Sequence, residues 1–261
     1  MEMLERRDTN GIVHLHMNAP GRLNALSDDM LAALQSQIDS LKTDKTAKVV
    51  VLSGAGKAFC AGHDLKEMQA GRAAEDKGRA YFQDLFTRCA KVMKGLQRLP
   101  QPVIAQVHGI ATAAGCQLVA TCDMAVAADD TRFGVNGVNI GLFCSTPMVA
   151  LSRNIPRKQA FEMLTTGKFI SADQAVHFGL INQSVPASDL ATAAQDLAEK
   201  VASKLGSVVA IGKEAFYEQS LMSLDQAYEY TGDVMVENML WRDTNEGISA
   251  FLEKRAPDWP E

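Results

Sequence analysis

The chain has 261 residues, of which 47% are hydrophobic and 22% are charged, and these proportions are ordinary for a folded soluble protein. Its 26 basic and 31 acidic side chains leave a net charge of −5, which argues against binding to nucleic acid or to anionic lipid. No apolar run approaches the ~18 residues that a membrane span needs.

The first part of the chain alternates between strand and helix patterns. Alternating apolar side chains predict a strand over residues 11–18. A helix follows, with Ser27 as its predicted N-cap. Its apolar positions are Met30, Leu31, Leu34, Ile38 and Leu41. A second strand is predicted at 48–53, and the charged stretch 66–79, which lacks a core pattern, is expected to be mobile.

The later elements continue the alternation and then become helical. Four of them are predicted before residue 130, namely a helix at 81–96, a strand at 103–108, a short helix at 115–122 and a strand at 125–128. From about Pro147 onward the pattern is nearly all helical, with one strand at 181–185. Repeated strand–turn–helix units followed by helices indicate an α/β core with a helical C-terminal portion.

Two segments of small residues lie where predicted strands give way to predicted helices. They are Phe59-Cys60-Ala61-Gly62-His63-Asp64-Leu65 and Ala113-Ala114-Gly115-Cys116-Gln117. The first turn of a helix carries unpaired backbone N–H groups and the positive end of the helix dipole, so it attracts developing negative charge. Two such donors converging on one oxygen form an oxyanion hole, in which each contributes ~2.7–4 kcal/mol in well-studied enzymes.

With these two segments, several collinear stretches resemble the crotonase (enoyl-CoA hydratase/isomerase) superfamily. The other matching stretches are residues 19–26, 101–134, 162–167, 170–172 and 250–255. The resemblance is strongest to the enoyl-CoA hydratase domain-containing proteins, which share Ala-Gly-Cys-Gln-Leu in the second segment. It implies an α/β fold, a crotonase-like spiral of repeated ββα units with a helical C-terminal trimerisation region. Residues 1–200 would form the spiral core and residues 201–261 the helical region, as one continuous family unit.

The resemblance also implies a ligand and the residues that bind it. The ligand is a coenzyme A thioester, with no covalently bound cofactor. The oxyanion donors are expected to be the backbone N–H groups of Ala61 and Ala114, and alanine at 114 requires a negative φ there. The further substrate- or coenzyme A-binding residues are Arg22, Asn24, Phe59, His63, Asp64, Leu65 and Gly109. His63 is expected to line the pocket through its backbone or to offer its imidazole, and Asp64 is also a predicted helix cap.

The two glutamates that catalyse hydration in familiar relatives are missing from this chain. By resemblance, their positions correspond to Gln117 and Gly137. An amide cannot exchange a proton near neutral pH, and Gly137 is expected to leave only space. Since positioned acid–base groups contribute ~10²–10⁴-fold in rate, hydratase activity is predicted to be weak or absent.

Two functions of different class therefore remain open at this stage. The chain is either a member of the enoyl-CoA hydratase/isomerase family that stabilises a thioester enolate, or a non-catalytic binding or scaffold homologue. The resemblance implies a homotrimer or a hexamer, and no nucleic-acid or membrane partner is expected.

Cysteine and histidine usage bears on compartment and metal binding. The five cysteines form no Cys-x-x-Cys pair, which favours reduced thiols, and the charged opening 1–8 is unlike a signal or transit peptide. A cytoplasmic location is the resulting prediction. No metal site is predicted, since His14 and His16 alternate on one strand face without a third ligand nearby.

Overall fold

The computed structural model describes residues 2–259, and the chain divides into two units, residues 1–202 and residues 203–261. Within the described range the nine strands are β1 (Leu4–Thr9), β2 (Ile12–Met17), β3 (Val49–Gly54), β4 (Val103–Val107), β5 (Ile110–Thr112), β6 (Met124–Ala128), β7 (Arg132–Gly134), β8 (Ile170–Ser171) and β9 (Gln183–Val185).

The helices of the first unit are α1 (Asp28–Leu41), α2 (Leu65–Gly71), α3 (Arg79–Arg98), α4 (Ala114–Thr121), α5 (Ser145–Asn154), α6 (Arg157–Thr166), α7 (Ala172–Phe178) and α8 (Leu190–Ala202). Those of the second unit are α9 (Gly206–Gln219), α10 (Leu224–Met239) and α11 (Arg242–Glu253). No helix among residues 2–259 has both the length and the apolarity to cross a membrane.

A six-stranded sheet in the order β1-β2-β3-β4-β6-β9 forms the framework of the first unit. All neighbours in it are parallel except β1 and β2. In β3 the run Val49–Leu52 is buried at every position, as expected for a parallel strand covered on both faces. Val50 and Leu52 belong to the core cluster that includes α1 and α3, whereas Val49 and Val51 pack in the cluster with Ala198 of α8.

A second, smaller sheet explains how the chain spirals. Strands β5, β7 and β8 pair in that order, and isolated parallel bridges join Cys60 to Ala111 and Leu26 to His63. The chain therefore runs three times from a strand of the large sheet, through a short extended segment, into a helix. These are β3 to α2, β4 through β5 to α4, and β6 through β7 to α5. The predicted α/β fold with repeated ββα units is confirmed.

Several short or polar elements differ from the prediction, among them the two-residue strand β8. Strand β1 was not expected, because only Leu4 of its six residues is buried and its sequence lacks an apolar alternation. Strands β5 and β7 have three residues each, too few for a periodic pattern. The stretch expected to be mobile begins instead as α2, which buries Met68 and starts at the N-cap Asp64.

The two turns that carry the predicted donors are in close contact, and the contact depends on Gly115 in the first turn of α4. Cys60 bridges to Ala111, and the carbonyl oxygen of Cys60 accepts a hydrogen bond from the N–H of Thr112 at 3.0 Å. Gly115, in the first turn of α4, lies so close that a Cβ atom on it would overlap the same Cys60 oxygen and the Cys60 carbonyl carbon. A hydrogen atom in place of a side chain is therefore what lets α4 approach the turn before α2.

We predict that Gly115→Ala lowers the free energy of unfolding by ~1–3 kcal/mol, because the added methyl group must push a rigid backbone carbonyl away. Urea denaturation measures the change. Gly212→Ala is the matched control, since a Cβ at Gly212 meets nothing within 4 Å and alanine favours the helix α9. Equal unfolding free energies for the two variants would show that the approach of the turns is not constrained.

Candidate active site

A cavity of about 350 Å³ lies between the two donor turns and the loop that follows β7. Five of the predicted site residues line it, namely Ala61, His63, Leu65, Ala114 and Gly137. The others do not border this cavity in the part of the chain that the structure describes; they are Arg22, Asn24, Phe59, Asp64, Gly109 and Gln117. The structure thus brings the two donor turns together, but five of the seven predicted substrate- or coenzyme A-binding residues do not line the cavity between them.

The free amide of the first turn belongs to His63. The N–H of Ala61 donates to the carbonyl oxygen of Leu23 at 3.1 Å, so it is already engaged within the protein. Gly62 then turns the chain with φ +90°, a value open to glycine. Among residues 2–259 the N–H of His63 has no hydrogen-bond acceptor. The assignment of the donor to Ala61 is corrected by these bonds, and the N–H available at this turn is the one two residues later.

The second turn supplies the N–H of Ala114. Ala114 is the first residue of α4, where an amide has no intrahelical acceptor, and within the described chain it has no other partner. Ala114 is not among the residues with positive φ, and the strained residue is the one before it, Ala113, whose φ of 51° and ψ of −120° are unusual for a residue with a Cβ atom. The N–H of Ala113 is fixed by the Gly134 carbonyl at 2.9 Å, so the strained turn is tied to β7.

Contacts around Gly62 show how near the two turns lie. A Cβ atom on Gly62 would lie 3.0 Å from the Cβ of Ala113 and 3.3 Å from the backbone nitrogen of Ala114. Because His63 directly follows Gly62, its free N–H and that of Ala114 belong to adjoining backbone segments that line one cavity. This arrangement can bind one oxygen atom through two amides.

The His63 side chain is held as a neutral imidazole. Its Nδ1 lies 3.4 Å from the Leu26 carbonyl oxygen, which can only accept, so Nδ1 carries the hydrogen and Nε2 is left as a lone pair. Nε2 is buried and has no hydrogen-bond partner within residues 2–259, and the ring meets that of Phe86 edge-on with centroids 5.6 Å apart. Burial lowers the pKa of His63, with Arg88 acting in the same direction and the Leu26 carbonyl and Asp28 opposing it.

Neither position of the missing glutamates offers an acid–base group. Gln117 is buried in α4, and its Oε1 has no hydrogen-bond partner among the residues that the structure describes. Gly137 does not leave space, contrary to the prediction, because a Cβ on it would overlap the Leu142 carbonyl oxygen and approach the Cys144 sulfur to 2.9 Å. The loop after β7 is folded tightly onto this glycine, and a side chain at 137 requires the loop to move.

Asp64 and Arg22 form a surface network beside the site. Asp64 caps α2, as predicted, and its Oδ1 accepts hydrogen bonds from the N–H groups of Lys66 at 2.8 Å and Glu67 at 3.3 Å. The exposed Arg22 guanidinium lies 3.0 Å from Glu67 and 3.4 Å from Asp64. Two carboxylates therefore compete with any phosphate for this cation.

Three other predicted binding residues have structural contacts. Asn24 is fully buried, donates from Nδ2 to the carbonyl oxygens of Ala55 and Ala58 at 2.8 Å each, and accepts the N–H of Ala19 at 2.9 Å. Phe59 is fully buried in the main core cluster. Gly109 turns the chain with φ +62°, where a Cβ would overlap the Lys57 carbonyl oxygen.

The rest of the cavity wall is uncharged. Met68 of α2 and Phe86 of α3 line it and were missed from the sequence, because helical periodicity does not tell which apolar residue faces a cavity. Burial raises the pKa of the Cys144 thiol, against the opposing N–H of Gly137, so this lining residue stays protonated. Within residues 2–259 the wall includes no Asp, Glu, Lys or Arg, and no cluster of three His, Cys, Asp or Glu side chains could hold a metal ion.

Comparison with known proteins identifies the family. The family model described as enoyl-CoA hydratase/isomerase matches residues 7–261. The chain belongs to the enoyl-CoA hydratase/isomerase family. The resemblance to the crotonase superfamily, and within it to the enoyl-CoA hydratase domain-containing proteins, is therefore confirmed.

Two relatives of this family share nearly half of their aligned residues with the chain. The enoyl-CoA hydratase domain-containing protein 3 of Xenopus laevis is 47% identical over 250 residues, which are 96% of this chain and 83% of the relative. The human protein of that name is also 47% identical, over 97% of this chain and 82% of its own length. Both relatives are named mitochondrial, so the predicted cytoplasmic location is wrong by this comparison.

Solved structures of family members superpose closely on this fold. An enoyl-CoA hydratase of Mycobacterium smegmatis is 53% identical with a TM-score of 0.94, and 98% of each chain is covered. The human enoyl-CoA hydratase domain-containing protein 3 has the same TM-score at 46% identity, with 98% of this chain and all of that chain covered.

We predict that Asn24→Leu lowers the free energy of unfolding by ~3 kcal/mol, because it leaves the buried Ala58 carbonyl and the partly buried Ala55 carbonyl and Ala19 N–H without their partner. Urea denaturation measures the loss. The matched control is Asn10→Leu, since Asn10 also has a φ of 51° but is exposed in a turn. If both variants lose the same stability, the backbone conformation matters rather than the buried hydrogen bonds of Asn24.

Proposed function

We propose that this family member binds a coenzyme A thioester with its carbonyl oxygen between the N–H groups of His63 and Ala114. The observation that carries the proposal is that these two amides have no acceptor within residues 2–259 and border one cavity. Donors fixed in advance around a developing oxyanion need no reorganisation when the charge forms, which makes them effective catalysts. Leu65 remains a proposed ligand contact because it lines the same cavity.

The chemistry that this hole supports is the formation of a thioester enolate. Removal of a proton from the α-carbon moves the electron pair of the C–H bond toward the thioester oxygen, where the two N–H groups would stabilise the charge. Hydration additionally needs a group that activates water and a group that delivers a proton. No carboxylate lines the cavity in the described part of the chain, so hydratase activity is proposed to be weak or absent.

The alternative is a thioester-binding or scaffold protein without turnover. Its support is the loop at Gly137, which is packed against Leu142 and Cys144 where the second catalytic carboxylate of familiar relatives would stand. In either case the ligand is a thioester and no covalently bound cofactor is invoked.

We further propose assembly into a homotrimer or hexamer, which the exposed apolar side chains of α10 and its flanks support. They include Leu224, Tyr228, Met235, Val236 and Leu240.

The oxyanion hole is tested by Ala114→Pro, which deletes one N–H group at the first position of α4; because Ala113 has φ 51° and ψ −120°, which proline disfavours in the residue before it, circular dichroism verifies that the variant is folded. We expect the Kd of the enolisable ligand acetoacetyl-CoA to rise about 10- to 100-fold, the value of one hydrogen bond to a charged acceptor. The Kd of free coenzyme A, which has no acyl carbonyl, is expected to change little. Isothermal titration calorimetry measures both.

A control separates the donor from the effect of proline itself. Arg242→Pro places proline at the first position of α11, after the extended residue Trp241 and outside the set of cavity-lining residues. It should leave both Kd values unchanged. Equal weakening of acetoacetyl-CoA and coenzyme A by Ala114→Pro would contradict the role of the Ala114 N–H group.

Weak hydration is tested directly with crotonyl-CoA. We expect turnover at least ~100-fold slower than that of a glutamate-bearing family member under the same conditions, since the acid–base groups are missing. Loss of enoyl thioester absorbance measures the rate, and calorimetry on the same preparation verifies that crotonyl-CoA binds. Turnover equal to that of the glutamate-bearing enzyme would refute this part of the proposal.

A further inference from the structure

The peptide group between Gly62 and His63 has a held carbonyl at one end and a free N–H at the other. The Gly62 carbonyl oxygen accepts a hydrogen bond from the Leu26 N–H at 2.7 Å. A trans peptide group is planar, and its C=O and N–H bonds point in opposite directions. The bond on the Gly62 oxygen therefore directs the His63 N–H away from Leu26, where no described residue accepts it.

Gly62 makes this peptide group easy to rotate. Its φ of +90° lies in a region that glycine enters freely, and glycine has no side chain that packs against a neighbour. A change in the ψ of Gly62 together with the φ of His63 would turn the N–H out of the cavity. A donor that directly follows a glycine therefore needs contacts that keep the peptide group in one orientation.

Leu26 holds this peptide group from both of its sides. Its N–H binds the Gly62 oxygen, and its own carbonyl oxygen accepts the Nδ1–H of the His63 ring at 3.4 Å. Within residues 2–259 this is the one hydrogen bond of the ring, since Nε2 is buried without a partner. Phe86 meets the ring edge-on with centroids 5.6 Å apart and limits its rotation. The imidazole is thus a second tether to Leu26, beside the one that the backbone makes.

The residue that receives both tethers is itself fixed. The Leu26 side chain is fully buried. Two residues earlier, Asn24 makes three hydrogen bonds to the backbone of other residues. Directly after Leu26, Ser27 caps α1 by accepting the N–H of Met30 at 3.2 Å. An anchor held on both sides in this way transmits its position to the peptide group that it binds.

Resting on the proposed thioester function, we propose that the His63 imidazole is a positioning group whose hydrogen bond to the Leu26 carbonyl holds the His63 N–H on the thioester oxygen. The ring acts through the backbone of its own residue and transfers no proton, because Nε2 is covered by protein. Loss of one neutral hydrogen bond weakens an interaction that depends on it about 3- to 10-fold. The loss should affect ligands with an acyl oxygen and spare free coenzyme A.

Substitutions at His63 separate its hydrogen bond from the packing of its ring. His63→Asn keeps an N–H donor as far from the backbone as Nδ1 and loses the ring, whereas His63→Leu keeps an apolar side chain and loses the donor. We expect His63→Leu to raise the Kd of acetoacetyl-CoA about 3- to 10-fold, and His63→Asn to keep it within about 2-fold of the wild type. Calorimetry should show an unchanged Kd of coenzyme A for both variants.

The ionisation of the bound ligand gives a second readout. The enolate of acetoacetyl-CoA absorbs ultraviolet light, so its fraction at saturating protein and fixed pH reports how well the amides stabilise the oxyanion. His63→Leu should lower this fraction, and His63→Asn should restore it. A ring that only fills space would leave the enolate fraction of the bound ligand unchanged.

A different histidine provides the matched control. His108 is also half-buried, its Nε2 lies 2.9 Å from the Gly56 carbonyl oxygen, and it does not line the cavity. His108→Leu should leave both Kd values and the enolate fraction as in the wild type. Circular dichroism verifies that each variant is folded. His63→Ala, which removes the donor without adding bulk, is the second donor-free variant and should repeat the result of His63→Leu.

The outcomes separate this inference from the function on which it rests. No weakening of acetoacetyl-CoA by His63→Leu and His63→Ala, or equal weakening by His63→Asn, overturns the inference, while the thioester site stands if Ala114→Pro weakens the same ligand. Equal losses for acetoacetyl-CoA and coenzyme A in the donor-free variants would show a structural role and also overturn it. Failure of the wild-type protein to bind acetoacetyl-CoA more tightly than coenzyme A removes the proposed function and the inference together.

Discussion

The site depends on the close approach of two backbone turns. Gly115 lies against the Cys60 carbonyl, and Gly62 lies against Ala113 and the nitrogen of Ala114, so that α4 and the turn before α2 meet without side chains between them. A parallel bridge from Cys60 to Ala111 of β5 joins the first turn to the second sheet, and another bridge joins His63 to Leu26. Because backbone amides cannot be moved by a rotamer change, donors fixed in this way are rigid.

The same packing explains why the pocket is poor in acid–base chemistry. The loop after β7 folds onto Gly137, which leaves no room for a side chain there, and Gln117 is buried with an unpartnered oxygen. The His63 imidazole is neutral and covered, and the Cys144 thiol is protonated. Within residues 2–259 the cavity therefore combines two amides that have no acceptor with a wall that has no Asp, Glu, Lys or Arg, and this combination supports the proposed binding of a thioester.

The sequence predicted the parts of the fold that have strong local signals. Buried runs such as Val49–Leu52 indicated the parallel strands, and Ser27 with the apolar stripe after it indicated α1, whose N-cap is observed. It missed β1, β5, β7 and β8, because a charged edge strand and strands of two or three residues carry no periodicity. The resemblance located both donor turns, yet it assigned the first donor to Ala61, two residues before the amide that is free.

What the sequence determined by itself was the family, the α/β class, the two small-residue turns and the lack of a carboxylate at positions 117 and 137, since each is a property of residue identity and order. Which amide is free, which polar residues are structural and how little room Gly137 has were decided only by the tertiary structure. Those facts depend on partners distant in the chain, such as Leu23 for Ala61, Ala55 for Asn24 and Leu142 for Gly137. A hydrogen bond or a steric overlap involves two residues, and residues this far apart in the chain come together only when it folds.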